Sequence, residues 1–111
     1  MDEEQKIKFK EGFTMIPNKV LEALYKSPFC ERQFRVLLFI MRQTWGYNHE
    51  ERALSLTYIG NATNIEPYNV CKILNKLVDA NIVKKSFKEG IKNQILSINT
   101  NVSEWGKAPR F

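Results

Sequence analysis

At 111 residues, 43% hydrophobic and 26% charged, the chain is long enough for one compact domain and too short for two ordinary ones. A formal charge of +5 and a pI near 9.3 place it among chains that attract polyanions, although a modest lysine excess is also common on solvated surfaces. The longest unbroken apolar run, Val36 to Met41, is far short of the ~20 residues of a membrane span, and the charged stretch Met1 to Lys10 lacks the apolar core of a signal peptide. Cys30, Cys71 and the lone His49 make no zinc set. The expectation is a soluble cytoplasmic protein with two free buried thiols, no metal and no cofactor.

Met1 to Glu11 is rich in charge and poor in large apolar groups, so it cannot offset the entropy of ordering by its own burial. A mobile tail over 1–12 is expected, then one domain over 13–105 and a short tail over 106–111. Phe13 to Ile16 reads as an extended lead-in, and Pro17-Asn18 opens a first helix through about Lys26 with Val20, Leu21, Leu24 and Tyr25 on one side. Ser27-Pro28 ends it, because the residue before proline is pushed out of helical geometry. A second helix from about Glu31 to Trp45 carries Phe34, Leu37, Leu38, Met41 and Trp45 on one stripe, widened by Val36, Phe39 and Ile40. Such a helix belongs at the centre, covered on several sides, with Gly46 placed to cap its end.

Tyr47 to Ala53 reads as a polar connection. A short helix Tyr58 to Ala62 follows, capped by Thr57 or Ser55, with Ile59, Ala62 and Ile65 toward the core. Thr63 to Glu66 makes a turn in which Asn64 can take the left-handed conformation, and Pro67 suits the first position of a long helix. On that helix Val70, Ile73, Leu74, Leu77 and Val78 form one apolar stripe, while Tyr68, Asn69, Lys72, Asn75 and Lys76 lie mostly opposite. Ile82 to Phe87 and Gln94 to Ile98 are β-rich runs around the basic turn Lys88 to Lys92, which makes a hairpin. Helix, turn, amphipathic helix and basic hairpin in this order are the plan of a winged helix-turn-helix, so the predicted fold class is mainly α with a small β-hairpin.

That plan assigns chemistry to the outward residues. Asn69 and Asn75 suit adenine edges, Lys72 suits guanine, and Tyr68 suits a thymine methyl or a phosphate. Lys84, Lys85, Lys88 and Lys92 on the hairpin suit the phosphate backbone or a minor groove. The bland alternatives stay open: ordinary surface residues on a core helix, and solubilising lysines on an exposed hairpin. Glu31 and Arg35 can pair at i,i+4, which makes Arg32, Arg35 and Arg42 read as a solvated edge. Trp45 and Trp105 read as core aromatics rather than base-stacking platforms. His49 sits in a polar loop, Gly60 and Gly90 stand alone, and no serine lies in a nucleophile elbow, so no catalytic residue is assigned and an enzyme is not expected.

Specific strings carry a resemblance. Gly12-Phe13-Thr14-Met15-Ile16-Pro17-Asn18, followed by Leu21-Glu22-Ala23-Leu24, resembles the opening segment of the phage replication protein O amino-terminal domain family. Thr44-Trp45-Gly46-Tyr47-Asn48 is similar to that family's aromatic-glycine-aromatic motif, and Ser55-Leu56 and Val102-Ser103-Glu104-Trp105 also fit. The resemblance implies a winged-helix domain of a phage or prophage initiator. Such a domain recognises repeats in a replication origin, often as a homodimer on inverted repeats, inside a bacterial cell. It places base reading on Pro67, Tyr68, Asn69, Lys72 and Lys76, and phosphate contacts on the amides near Thr57 and Tyr58. Glu66 departs from the serine or threonine expected before the recognition helix, which weakens a phosphate contact there. The region that recruits helicase-loading machinery in the family is expected to be absent from a chain ending at Phe111. A small transcriptional regulator on the same fold is the first alternative, and a winged helix that only holds protein partners is the second.

Overall fold

The computed structural model describes residues 12–106; all but Gly12 of the expected tail over 1–12 and all but Gly106 of the expected tail over 106–111 lie outside the described residues. Four helices and three short strands follow in the order α1 (Asn18–Lys26), α2 (Glu31–Thr44), β1 (Arg52–Ala53), α3 (Leu56–Thr63), α4 (Pro67–Asp79), β2 (Val83–Ser86) and β3 (Ile95–Ile98). The architecture is mainly helical with a small antiparallel sheet. α2 is the hub, as its apolar surface predicts: it packs on α3, α4 and β3. Its buried residues include Val36, Leu37, Ile40 and Met41, and they meet Ile59 of α3 and Val70, Ile73, Leu74 and Leu77 of α4 in one core. The expected stripe of α4 is therefore the buried one, with Val78 at its margin.

Three details of the predicted faces change. Leu38 of α2 is 51% exposed, Leu21 and Tyr25 of α1 point to solvent while only Val20 and Leu24 are buried, and Ala62 of α3 is exposed. Each element has fewer apolar neighbours than its sequence can serve, so the outermost member of the stripe is left uncovered. Conversely, Gln33, Gln43, Thr44 and Asn99 are buried polar groups, each tied by hydrogen bonds. Gln33 Oε1 accepts the Cys30 amide at 3.0 Å and closes the start of α2 as a capping box. Asn99 donates from Nδ2 to the Asn81 carbonyl at 2.8 Å, while its own carbonyl accepts Trp105 Nε1 at 2.8 Å. Trp45 and Trp105 both pack against the core, as expected of them.

Asparagine closes three successive helical segments. Asn48, Asn64 and Asn81 are the non-glycine residues at positive φ, near +60° in each case, among the described residues. In every case the next residue's amide reaches back to a carbonyl in the last helical turn: His49 to Thr44 at 2.8 Å, Ile65 to Gly60 at 3.1 Å, and Ile82 to Leu77 at 3.0 Å. Asn64 was expected in this role. Gly46 was expected to cap α2 and does not: it lies inside a 3₁₀ turn, Trp45–Tyr47, and Asn48 makes the left-handed closure. A Cβ at 46 would stand 2.7 Å from Arg42 Nη1 and 2.9 Å from Thr14 Oγ1, so those side-chain ends would have to move aside for any larger residue.

The sheet order is β1-β3-β2, antiparallel throughout, with Val83 opposite Ile98, Lys85 opposite Leu96 and Arg52 opposite Leu96. The predicted hairpin is thus present, but the predicted polar connection 47–53 contributes a third strand. Val83, Leu96 and Ile98 place one face of the sheet in the core. Arg52 holds β1 to α2 by donating to Gln43 Oε1 at 2.6 Å. Cys30 and Cys71 are free and only partly buried. Among the described residues no helix is long and apolar enough to cross a membrane.

Candidate nucleic-acid interface

α3 and α4 meet across a three-residue turn, Asn64 to Glu66, and the sequence determines the angle between them. Gly60 lies so near the turn that a Cβ on it would stand 2.5 Å from the Ile65 carbonyl oxygen, and Pro67 packs beside it at the start of α4. Proline is stable at that first helical position because its missing amide hydrogen would have had no helical acceptor. Burying Ile59 and Ile65 on one side and Val70, Ile73 and Leu77 on the other leaves α4 with one outward face.

On that face Tyr68 is 69% exposed, and Lys72 and Asn75 are exposed with it. The Lys72 ammonium lies over the Tyr68 ring, 4.5 Å from its centroid, so a cation–π contact one helical turn long presents both as a unit. Asn75 lies along its own helix, with Nδ2 3.8 Å from Cys71 Sγ. Asn69 and Lys76 are half-buried at the edge of the face. The expected division of α4 into a core side and an outward side is therefore present, with Tyr68, Lys72 and Asn75 outermost.

The remaining candidates fall in two groups. Thr57 is exposed in the first turn of α3. Tyr58 is committed: its amide donates to Ser55 Oγ at 3.0 Å, its ring meets Phe39 edge-on at 5.5 Å, and its hydroxyl donates to Gln43 Oε1 at 3.4 Å. Ser55 rather than Thr57 is the cap. The start of α3 and the hairpin loop share a shallow hollow of about 280 Å³ lined by Ser55, Leu56, Phe87, Lys92 and their neighbours, so Lys92 stands beside the first turn of α3. Lys85 is exposed on β2. Lys88 points elsewhere, pairing with Glu51 at 2.9 Å.

Sequence reasoning passed over two cationic arrangements. Arg32, read as part of a solvated edge, borders α4 together with Asn69, Lys72 and Ile73. Arg42 and Arg52 both lie over the Tyr47 ring, at 4.5 and 5.0 Å from its centroid. The aromatic-glycine-aromatic spacing of Trp45 to Tyr47 was the available signal for the second, since Gly46 admits the Arg42 guanidinium. The expected Glu31–Arg35 pair does form, and Arg35 also donates to the Thr63 carbonyl at 3.4 Å. Among the described residues no group of three or more histidine, cysteine, aspartate or glutamate side chains converges.

An exposed tyrosine–lysine–asparagine face on a helix fixed by a tight corner suits contact with a polar, anionic ligand, and comparison with known proteins says in which class of process. Residues 5–105 match the bacteriophage replication protein O family, and the chain belongs to that family of phage DNA replication and its initiation. It is 28% identical over 106 residues to replication protein O of Escherichia phage lambda, a match that covers 90% of this chain and 30% of that protein. Over 95 residues it is 23% identical to DNA replication protein gp18 of Salmonella phage P22, covering 86% of this chain and 33% of that protein. The chain thus spans about a third of the length of these relatives.

Proposed function

We propose that α3, its turn and α4, with the β2–β3 hairpin, act as a winged helix-turn-helix that binds double-stranded DNA sequence-specifically and recognises repeats in a phage-type replication origin. The observation that carries the reading is the outward face of α4. Tyr68, Lys72 and Asn75 are exposed there on a helix that buries Val70, Ile73, Leu74 and Leu77 on its opposite side, in a chain of a phage replication family.

In this reading α4 lies in the major groove, which is wide enough to admit a helix, and its outward side chains reach base edges. Lys72 suits guanine O6 and N7. Asn75 suits adenine, after its amide turns from Cys71. Thr57 and Lys92 flank the first turn of α3 and suit the phosphate backbone, as does Lys85. The Tyr58 amide is committed to Ser55, so its share in phosphate binding falls to the hydroxyl of Thr57 and to Lys92. Lys88 reaches phosphate only by leaving Glu51. Binding as a homodimer, and recruitment of helicase-loading machinery through a region outside 12–106, belong to the same proposal.

The test is a selection of bound fragments from a phage or prophage genome, followed by titration of the best site against random duplex at two salt concentrations. Clustered repeats, bound at least ~1000-fold more tightly than random duplex, support origin recognition. A single promoter-proximal site turns the reading to a regulator, and absence of salt-dependent binding turns it to a protein-only partner.

A further inference from the structure

The first turn of α2 lies against the flank of α4. Arg32, exposed, lines with Asn69, Lys72 and Ile73 a hollow of about 180 Å³ between the two helices, and among the described residues no carboxylate lines it. The two neighbouring arginines have different fates. Arg35 is held by Glu31 and by the Thr63 carbonyl, whereas Arg32 has neither ion pair nor hydrogen bond among the described residues. Lys72 borders the same hollow, but its ammonium is drawn over the Tyr68 ring on the outward face. Arg32 is thus the uncommitted cation of the hollow among the described residues, with Asn69 and the apolar Ile73 in the same wall.

A guanidinium presents a planar fork of N–H donors that matches two oxygens of a phosphate, and it loses less hydration than an ammonium on pairing. A helix in the major groove has a phosphate backbone on each flank, and contacts there fix register without reading sequence. We propose that Arg32 grips a backbone phosphate of the duplex along which α4 lies, so that α2 supplies a positioning contact that sets the depth and register of α4. This inference rests on the DNA-binding reading above and adds to it a residue from a different helix and a division of labour: Arg32 holds phosphate, Lys72 reads a base.

The test compares the wild-type chain with Arg32→Ala, Arg32→Lys and Lys72→Ala on the best selected duplex and on random duplex, across a salt series. Arg32→Ala is expected to weaken both duplexes alike, roughly tenfold at low salt. It is also expected to flatten the plot of log affinity against log salt by about one. Arg32→Lys keeps the slope and recovers part of the affinity. On duplexes carrying one methylphosphonate at successive backbone positions, the wild type loses affinity at one position to which Arg32→Ala is indifferent. An unchanged melting curve shows that the fold is intact. Loss on the selected duplex alone, or an unchanged affinity and slope, overturns the phosphate role while leaving DNA binding in place. If the wild-type chain itself shows no salt-dependent affinity, the DNA-binding reading fails, and the role of Arg32 with it.

Discussion

The α3–α4 corner and the β2–β3 hairpin both border the candidate interface, and they are held in opposite ways. The corner is local: Gly60, Asn64, Ile65 and Pro67 lie within eight positions, and the Gly60 carbonyl accepts the Ile65 amide at 3.1 Å across a left-handed Asn64. The hairpin is held from afar. Its register depends on Val83 meeting Ile98 and on β1 meeting β3, and its loop is tethered to Glu51 by Lys88, both well exposed. A corner set by backbone closeness cannot shift without opening the core. A hairpin tip held by an exposed ion pair, worth at most about 1 kcal/mol, moves at little cost. The molecule thus offers one rigid face and one adaptable arm.

The sharpest way to break that contrast is Gly60→Ala. Because the added carbon would meet backbone rather than a flexible side chain, it should destabilise the fold by about 3 kcal/mol, read as a fall in the urea midpoint. A shift within ~0.5 kcal/mol, as for an ordinary surface position, would show that the corner yields. Next, Lys72→Ala should remove about 2 kcal/mol of discrimination between the selected duplex and its single-base variants while leaving the melting temperature in place. Equal loss on random duplex would move Lys72 to the phosphate contacts.

Asn64 gives a finer probe of the corner. Alanine at φ 59° should cost about 1 kcal/mol, whereas Asn64→Gly should be close to neutral, since glycine meets no Cβ penalty there. If the two variants melt alike, the left-handed turn is not what sets the corner. The smallest effect belongs to the hairpin: Glu51→Gln should change stability by less than ~0.5 kcal/mol yet speed amide exchange in the loop 87–94. A loss above ~1 kcal/mol would make the tip as firmly held as the corner.

Local chemistry explains which parts could be read from the sequence. Pro67 and Asn64 announce their positions because proline fixes its own φ and asparagine tolerates the left-handed conformation, and the α4 stripe repeats often enough to define a face. β1 gave no such signal: two residues, Arg52 and Ala53, have no periodicity, and they become a strand only because Ile95 and Leu96 lie alongside. Leu38 and Ala62 were assigned to the core since periodicity reports which side is apolar, not how far the neighbours reach. In sequence Gly46 reads as a cap because glycine serves both turns and close approaches, and only the position of Arg42 tells them apart. For the same reason Arg32 stayed hidden among three arginines: its place beside Asn69 is set by how α2 crosses α4, a long-range fact.

The sheet has one more consequence. With the order β1-β3-β2, both outer strands present backbone groups that another copy of the chain could pair with. β1 is only two residues long, too short to template a partner, and β2 carries Lys84 and Lys85 on opposite faces of the strand. An incoming strand would have to bury an ammonium on either side. The same lysine pair that is proposed to meet phosphate therefore also works against edge-to-edge pairing of β2.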